Sequence, residues 1–342
     1  MLRTVDFPAW PVPGIRVHNP PTDIPTLETG LNSPAPAAKP FPQSAARAKG
    51  PRVFLDYDQK ELDDAYDQAV YAPNREQVNL RLARASELAR RRLGTPQRVA
   101  YGTAAIEQLD IYRTTAADAP VVVFIHGGAW QSGTAAEHAY AAEALVRAGA
   151  HFVVLDFDRV QDAGGSLFPM VDQVRRAVAW VHRNAPSFGG NPDRIHVVGK
   201  SSGSHLGGCV AITDWRKDCG LPADAVKGYT LQSGMYDLRG PRLSKRSAYV
   251  KFTNPMEEEL SPQRHLDRIV APVVLVYGSN ETPEFQRQSR DFAEALRQAG
   301  KPVELIYAEG YNHFEIAETL ANPYGHVGRA VLKQLNLQGA YE

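Results

Sequence analysis

The stretch 195-IHVVGKSSGSHLGG-208 passes from a short apolar run into glycines and serines. Its first part, 195-IHVVG-199, reads as a strand, and the part from Ser202 onward reads as a helix. Between them Gly199-Lys200-Ser201-Ser202-Gly203 forms a G-x-S-x-G. Small residues two before and two after the central serine let the chain turn sharply from strand to helix and hold the hydroxyl out above a sheet. The pattern alone arises often by chance, but the flanking strand and helix make Ser201 a candidate nucleophile. Ser202 and Ser204 then belong to the first turn of the helix.

On either side of this stretch, β-branched runs alternate with helical patterns. The expected strands are 109-LDIYR-113, 121-VVVFI-125, 152-FVVLDF-157, 195-IHVVG-199, 228-GYTLQS-233, 272-PVVLVYG-278 and 303-VELIYA-308. Helical periodicity lies between them at 135–147, 169–184, 284–299 and 329–335. Alternating βα units with near-continuous apolar strands predict an α/β fold, a mostly parallel central sheet with helices on both faces. Upstream, Leu62, Ala65, Tyr66, Ala69 and Val70 recur at helical steps, so residues 60–93 are expected to be helical, split in two at Pro73 and Asn74. Residues 1–52 are rich in Pro and Ala and are expected to form an extended arm, with 53–342 as the domain.

With 342 residues, 43% of them apolar and 22% charged, the chain can bury a sizeable core. Lys plus Arg and Asp plus Glu both number 38, so no net field draws in nucleic acid or anionic lipid. A small-molecule partner is expected, with no nucleic acid and no membrane. Prolines from Pro8 to Pro25 interrupt every early apolar run before a signal sequence could form, and no apolar run reaches the roughly 18 residues of a membrane span. A cytoplasmic protein with Cys209 and Cys219 reduced is the expectation; a homodimer is left open. There is no HExxH, no His pair at zinc-ligand spacing and no carboxylate-rich loop, so neither a metal nor a cofactor is expected.

A serine nucleophile needs a base, and in a strand–G-x-S-x-G–helix context the partners follow in the order Ser, acid, His. After 272-PVVLVYG-278 the loop 279-SNETPEF-285 offers no aspartate, leaving Glu281 or Glu284. Thr282 and Pro283 read as an N-cap and first helical residue, which places Glu284 in a first turn where a carboxylate complements the helix dipole. Glu281 is therefore the expected acid. In 309-EGYNHFEI-316, His313 follows the last strand and is the expected base. His326 lies well beyond that strand end, His265 precedes the acid, and His205 lies on the helix after Ser201 and reads as a structural residue that packs or hydrogen-bonds locally. The segment 126-HGGAW-130 follows strand 121–125, so the backbone N–H groups of Gly127 and Gly128, with that of Ser202, are expected to form an oxyanion hole.

These residues together resemble the α/β-hydrolase superfamily, within it the hormone-sensitive-lipase-like group with an HGG motif, and most closely kynurenine formamidase-like (arylformamidase-like) esterases. The resemblance is carried by 56-DYDQKELDDAYDQAVYAPN-74, 107-EQLDIYR-113, 126-HGGAW-130, 173-QVRRAVAWVHRN-184, 233-SGMYDLR-239, 281-ETPEFQRQS-289 and 312-NHFEI-316. It implies an α/β-hydrolase fold in which helices within 53–95 and the segment 240–262 form a lid, with Glu281 and His313 at the acid and base positions. It further implies a serine hydrolase that cleaves an ester or small N-acyl bond of an aromatic substrate through an acyl-enzyme. A broad short-chain carboxylesterase and a non-catalytic binding protein of the same fold are the rival readings. Trp130, Tyr236 and Phe252 are candidate pocket walls, each equally suited to the core. This chain departs from the group at Lys200, where histidine is usual, at Ser202 and Ser204, at Ala129 and in using Glu as the acid. Lys200 is expected either to pair with a carboxylate beneath the nucleophile or to attract an acidic substrate group.

Overall fold

Val121, Val123 and Ile125 pack into one apolar cluster while Val122 and Phe124 pack into another, the two-residue alternation of a strand buried on both faces. This strand lies near the middle of an eight-stranded sheet in a computed structural model that describes residues 48–341. The Pro/Ala-rich segment up to residue 47 lies outside the described residues.

The strands are β1 (Arg52–Phe54), β2 (Tyr57–Asp58), β3 (Gln97–Ala100), β4 (Gln108–Tyr112), β5 (Ala119–Ile125), β6 (His151–Leu155), β7 (Gly190–Lys200), β8 (Gly228–Gln232), β9 (Val273–Gly278) and β10 (Val303–Ala308). β1 and β2 pair separately; the main sheet runs β10-β9-β8-β7-β5-β6-β4-β3. β3 and β4 are antiparallel to their neighbours and all other pairings are parallel. Every expected strand is present. β1, β2 and β3 are additional; β3 is a mostly exposed four-residue strand whose QRVA sequence carries no apolar alternation.

The helices are α1 (Gln59–Ala65), α2 (Gln68–Tyr71), α3 (Arg75–Leu93), α4 (Ala142–Ala148), α5 (Phe168–Asn184), α6 (Ser202–Ala211), α7 (Trp215–Cys219), α8 (Arg239–Leu243), α9 (Asn254–Glu259), α10 (Pro283–Gln298), α11 (Glu315–Glu318) and α12 (His326–Leu335). Side chains of α5, α6 and α10 join the cluster of Val121, Val123 and Ile125, and those of α3, α4 and α12 join the cluster of Val122 and Phe124. Helices therefore cover both faces. Two expectations are corrected. Residues 60–93 break not only at Pro73 and Asn74 but also at Asp67, whose side chain caps α2 by accepting from the Ala69 N–H. Residues 136–141 form a 3₁₀ segment before α4 rather than one continuous helix. No described helix is long and apolar enough to cross a membrane.

Candidate active site

Ser201 ends β7 and begins α6 with φ 55° and ψ −122°. A non-glycine residue held there stores about 1–3 kcal/mol of strain. The turn is pinned by its own backbone: the Ser201 N–H donates to the Gln232 carbonyl at 2.8 Å and the Ser201 carbonyl accepts from the Ser204 N–H at 2.9 Å. Ser204 Oγ donates to the same Gln232 carbonyl at 2.6 Å, fastening the first turn of α6 to β8. Gly203 brings α6 against the end of β5 so closely that a Cβ would sit 2.1 Å from the Ile125 carbonyl oxygen.

His313, in the loop between β10 and α11, lies with Nε2 2.8 Å from Ser201 Oγ and Nδ1 2.8 Å from Glu281 Oε2. Since a carboxylate only accepts, Nδ1 carries the proton and Nε2 is the acceptor for the serine hydroxyl. All three residues are buried. Glu281, between β9 and α10, is fully engaged: Oε2 also accepts from Gln68 Nε2 at 3.1 Å, and Oε1 accepts from Ser233 Oγ at 2.6 Å and the Gly278 N–H at 2.8 Å. Glu284, the weighed alternative, points elsewhere. Thr282 caps α10, and the Glu284 carboxylate receives Arg287 and the Tyr66 hydroxyl.

The loop after β5 supplies the neighbouring backbone. His126 stacks on His138 and Phe157, with ring centroids 4.9 and 4.4 Å away, and donates from Nδ1 to the Gly127 carbonyl at 2.8 Å. Burial lowers the pKa of both His126 and His138, so both rings are neutral at pH 7. Gly128 has φ 119°, and a Cβ there would strike the Ser132 carbonyl oxygen at 2.1 Å. Ala129 and Trp130 also have positive φ, 55° and 63°. Among the described residues the Gly127 and Gly128 N–H groups donate to no protein atom. A candidate Cβ on Gly127 would lie 3.1 Å from the Ser201 Cβ, so this backbone faces the serine. The Trp130 N–H donates to Ser202 Oγ at 3.2 Å, and Trp130 Nε1 donates to His205 Nδ1 at 3.2 Å, whose Nε2 donates to the Leu260 carbonyl at 2.8 Å. His205 is thus held on both sides: besides these distant partners its Nε2 lies 3.6 Å from Cys209 Sγ, one turn along the same helix.

Ser201 and His313 open onto a cavity of about 1150 Å³. Its walls include Tyr66 and Gln68 from the early helical segment and Lys245, Arg246 and Tyr249 from the segment after β8. Lys200 lines it as well. The carboxylate partner expected for Lys200 is not there: among the described residues its ammonium makes no ion pair or hydrogen bond. The aromatic candidates are corrected. Tyr236 is fully buried, stacked on Phe292 with centroids 4.4 Å apart, because it follows β8 into the core. Trp130 is turned inward by its bond to His205, and Phe252 packs against the core edge; none of the three borders the cavity. Gln68, Ser233, Tyr66 and Arg246 were not singled out from the sequence. Gln68 and Tyr66 lie within 56–74 and Ser233 opens 233–239, two of the stretches that carry the resemblance, and Arg246 lies in the segment 240–262. Among the described residues no group of His, Cys, Asp and Glu is arranged to hold a metal.

The family model BD-FAE matches residues 109–236. The chain is 33% identical to a kynurenine formamidase of Salmo salar over 74% of its own length and 86% of that protein, and 33% identical to one of Danio rerio over 73% and 85%. In fold it is similar to the esterase LipW of Mycobacterium marinum, with a TM-score of 0.60 at 21% identity over 81% of this chain and 91% of the other. The match in sequence across most of both chains, on this sheet and with this serine turn, makes the protein a hydrolase of the kynurenine formamidase family within the α/β-hydrolase fold.

Proposed function

We propose that the protein is a serine hydrolase that cleaves an aryl formamide or a short-chain aryl ester, with Ser201 as nucleophile, His313 as general base and Glu281 as the residue that orients and stabilises the imidazolium. The observation that carries this reading is the unbroken set of 2.8 Å contacts from Ser201 through His313 to Glu281 on the wall of a cavity. Ser201 Oγ attacks the acyl carbonyl as its proton passes to His313 Nε2, and the oxyanion is held by the N–H groups of Gly127, Gly128 and Ser202. Collapse breaks the bond to the leaving amine or alcohol, which takes the proton from Nε2. Water then gives a proton to Nε2 and attacks the acyl-enzyme; release of the acid returns that proton to Ser201. This sequence uses no cofactor.

The helices within 53–95 and the segment 240–262 act as the lid, since both supply walls of the cavity and exclude water from it. We place the protein in the cytoplasm, where its two unpaired cysteines stay reduced, acting on a small molecule. The test is kcat/KM for N-formyl-L-kynurenine beside that for p-nitrophenyl acetate, with Ser201→Ala as the blank. Formamide turnover well above ester turnover supports the formamidase reading; rapid ester cleavage with negligible formamide cleavage makes the protein a carboxylesterase. A folded sample whose Ser201 takes no fluorophosphonate label refutes both.

A further inference from the structure

The residue immediately before the nucleophile is an ammonium without a counter-ion. Lys200 is 8% exposed, and its ammonium makes no ion pair or hydrogen bond among the described residues. The carboxylate that acts on it most is Glu318, but both Glu318 oxygens are taken by Arg81, at 2.7 and 2.8 Å. The other near groups, His126 and His138, are neutral imidazoles and supply no negative charge to balance it. Burial alone pulls the Lys200 pKa down to about 8. A buried charge without a partner is costly, and here it sits on the wall of the cavity that Ser201 and His313 share.

A second unpaired cation borders the same space. The Arg246 guanidinium is 7% exposed and lies 5.6 Å from the Trp130 ring and 5.7 Å from the Phe285 ring. It donates only to neutral oxygens, the Tyr249 hydroxyl at 2.8 Å and the Tyr66 carbonyl at 3.0 Å, while its Nε–H is buried without a partner. Five Lys and Arg residues border the cavity against three Asp and Glu, and one of those acids, Asp67, is already paired with Lys245. In a chain of zero net charge the positive excess is local.

We propose that the cavity accepts acyl substrates that carry a carboxylate, and that the Lys200 ammonium receives it. Lys200 has three N–H donors and no protein acceptor, so a carboxylate supplies both the missing charge and the missing hydrogen bonds. Arg246 adds positive potential but has part of its donor fork engaged by Tyr66 and Tyr249. Lys200 is then a specificity-determining residue, contiguous in the chain with Ser201.

This inference rests on acyl transfer at Ser201, and the experiment separates the two. para-Acetoxybenzoate is compared with its methyl ester, placing the charge on the leaving group, and phenyl hydrogen adipate with phenyl methyl adipate, placing it on the acyl group. In the native protein one anionic ester exceeds its neutral partner by about ten- to hundred-fold in kcat/KM, the value of one charge-assisted contact. The ratio falls to about one in Lys200→Met and is largely kept in Lys200→Arg, with thermal unfolding and fluorophosphonate labelling establishing that each variant is folded. Ratios near or below one for both pairs in the native protein overturn the inference while leaving ester cleavage intact. A preference lost in Arg246→Met but kept in Lys200→Met overturns the assignment to Lys200. No turnover of either pair, with no labelling of Ser201, defeats the serine hydrolase reading itself.

Discussion

Glu281→Gln tests the acid most sharply, because all four contacts to its carboxylate come from donors: His313 Nδ1 and Gln68 Nε2 on one oxygen, Ser233 Oγ and the Gly278 N–H on the other. A glutamine brings one NH₂ into a ring of donors. Turned toward His313, it forces Nδ1 to accept, which moves the ring proton to Nε2 and leaves no base for Ser201. Turned toward Ser233, it keeps the tautomer, strands the Gly278 N–H and removes the negative charge that balances the imidazolium. Breaking a buried ion pair on one side costs about 3–5 kcal/mol. At about 1.36 kcal/mol per factor of ten, that is roughly two to four orders of magnitude in kcat. The stranded N–H adds about 1–3 kcal/mol of lost folding stability. KM is expected to stay near its native value, since Glu281 lies behind His313 and does not border the cavity. The assay is steady-state hydrolysis of p-nitrophenyl acetate, with circular dichroism melts of the same samples. A folded Glu281→Gln whose kcat stays within tenfold of native, or a larger loss from Glu284→Gln, refutes the assignment.

Three further outcomes are expected. Burial lowers the Lys200 pKa from 10.5 to about 8, so the unfolded chain holds the proton more tightly than the folded one between those values, and stability rises with pH across that window. Glu318 (itself bound to Arg81), His126 and His138 are the charged and titratable groups acting on it. Lys200→Met is therefore more stable than native by about 3 kcal/mol at neutral pH, with the difference vanishing as pH approaches 10.5, as read from denaturant unfolding. Gly203→Ala drives a Cβ into the Ile125 and His126 carbonyls, 2.1 and 2.4 Å away, and is expected to cost about 3 kcal/mol or more and abolish labelling of Ser201; a native melting temperature contradicts the close approach. Ser202→Ala removes the acceptor of the buried Trp130 N–H and is expected to cost about 1–3 kcal/mol, and to lower kcat for p-nitrophenyl acetate with little change in KM as Gly127 and Gly128 lose their anchor.

The sheet was readable because most of its strands are apolar and rich in β-branched residues, whereas β3 and the helices of 5 and 6 residues between β8 and β9 are too short to show a period. The approach of Ser201, Glu281 and His313 followed from order along the chain, since each comes just after a strand that ends on the same side of a parallel sheet. What supports them did not. Gln68 meets Glu281 across 213 residues, and no local pattern encodes such a contact. Trp130 and Tyr236 show why aromatic residues near a motif mislead: a large ring with one polar atom serves a cavity wall or a core equally well, and only the partner decides. For Trp130 that partner is His205; for Tyr236 it is Phe292.

Gln68 stands on a four-residue helix, α2, that also walls the cavity, and its amide holds both Glu281 and the Thr282 N–H at the head of α10. Any outward swing of α2 that widens the entrance also unloads the carboxylate behind His313. Admission and chemistry would thus be set in opposition by such a movement, since Gln68 holds the carboxylate only while α2 stays in place. Changes that loosen α2 to hasten product escape are therefore expected to slow the bond-breaking step.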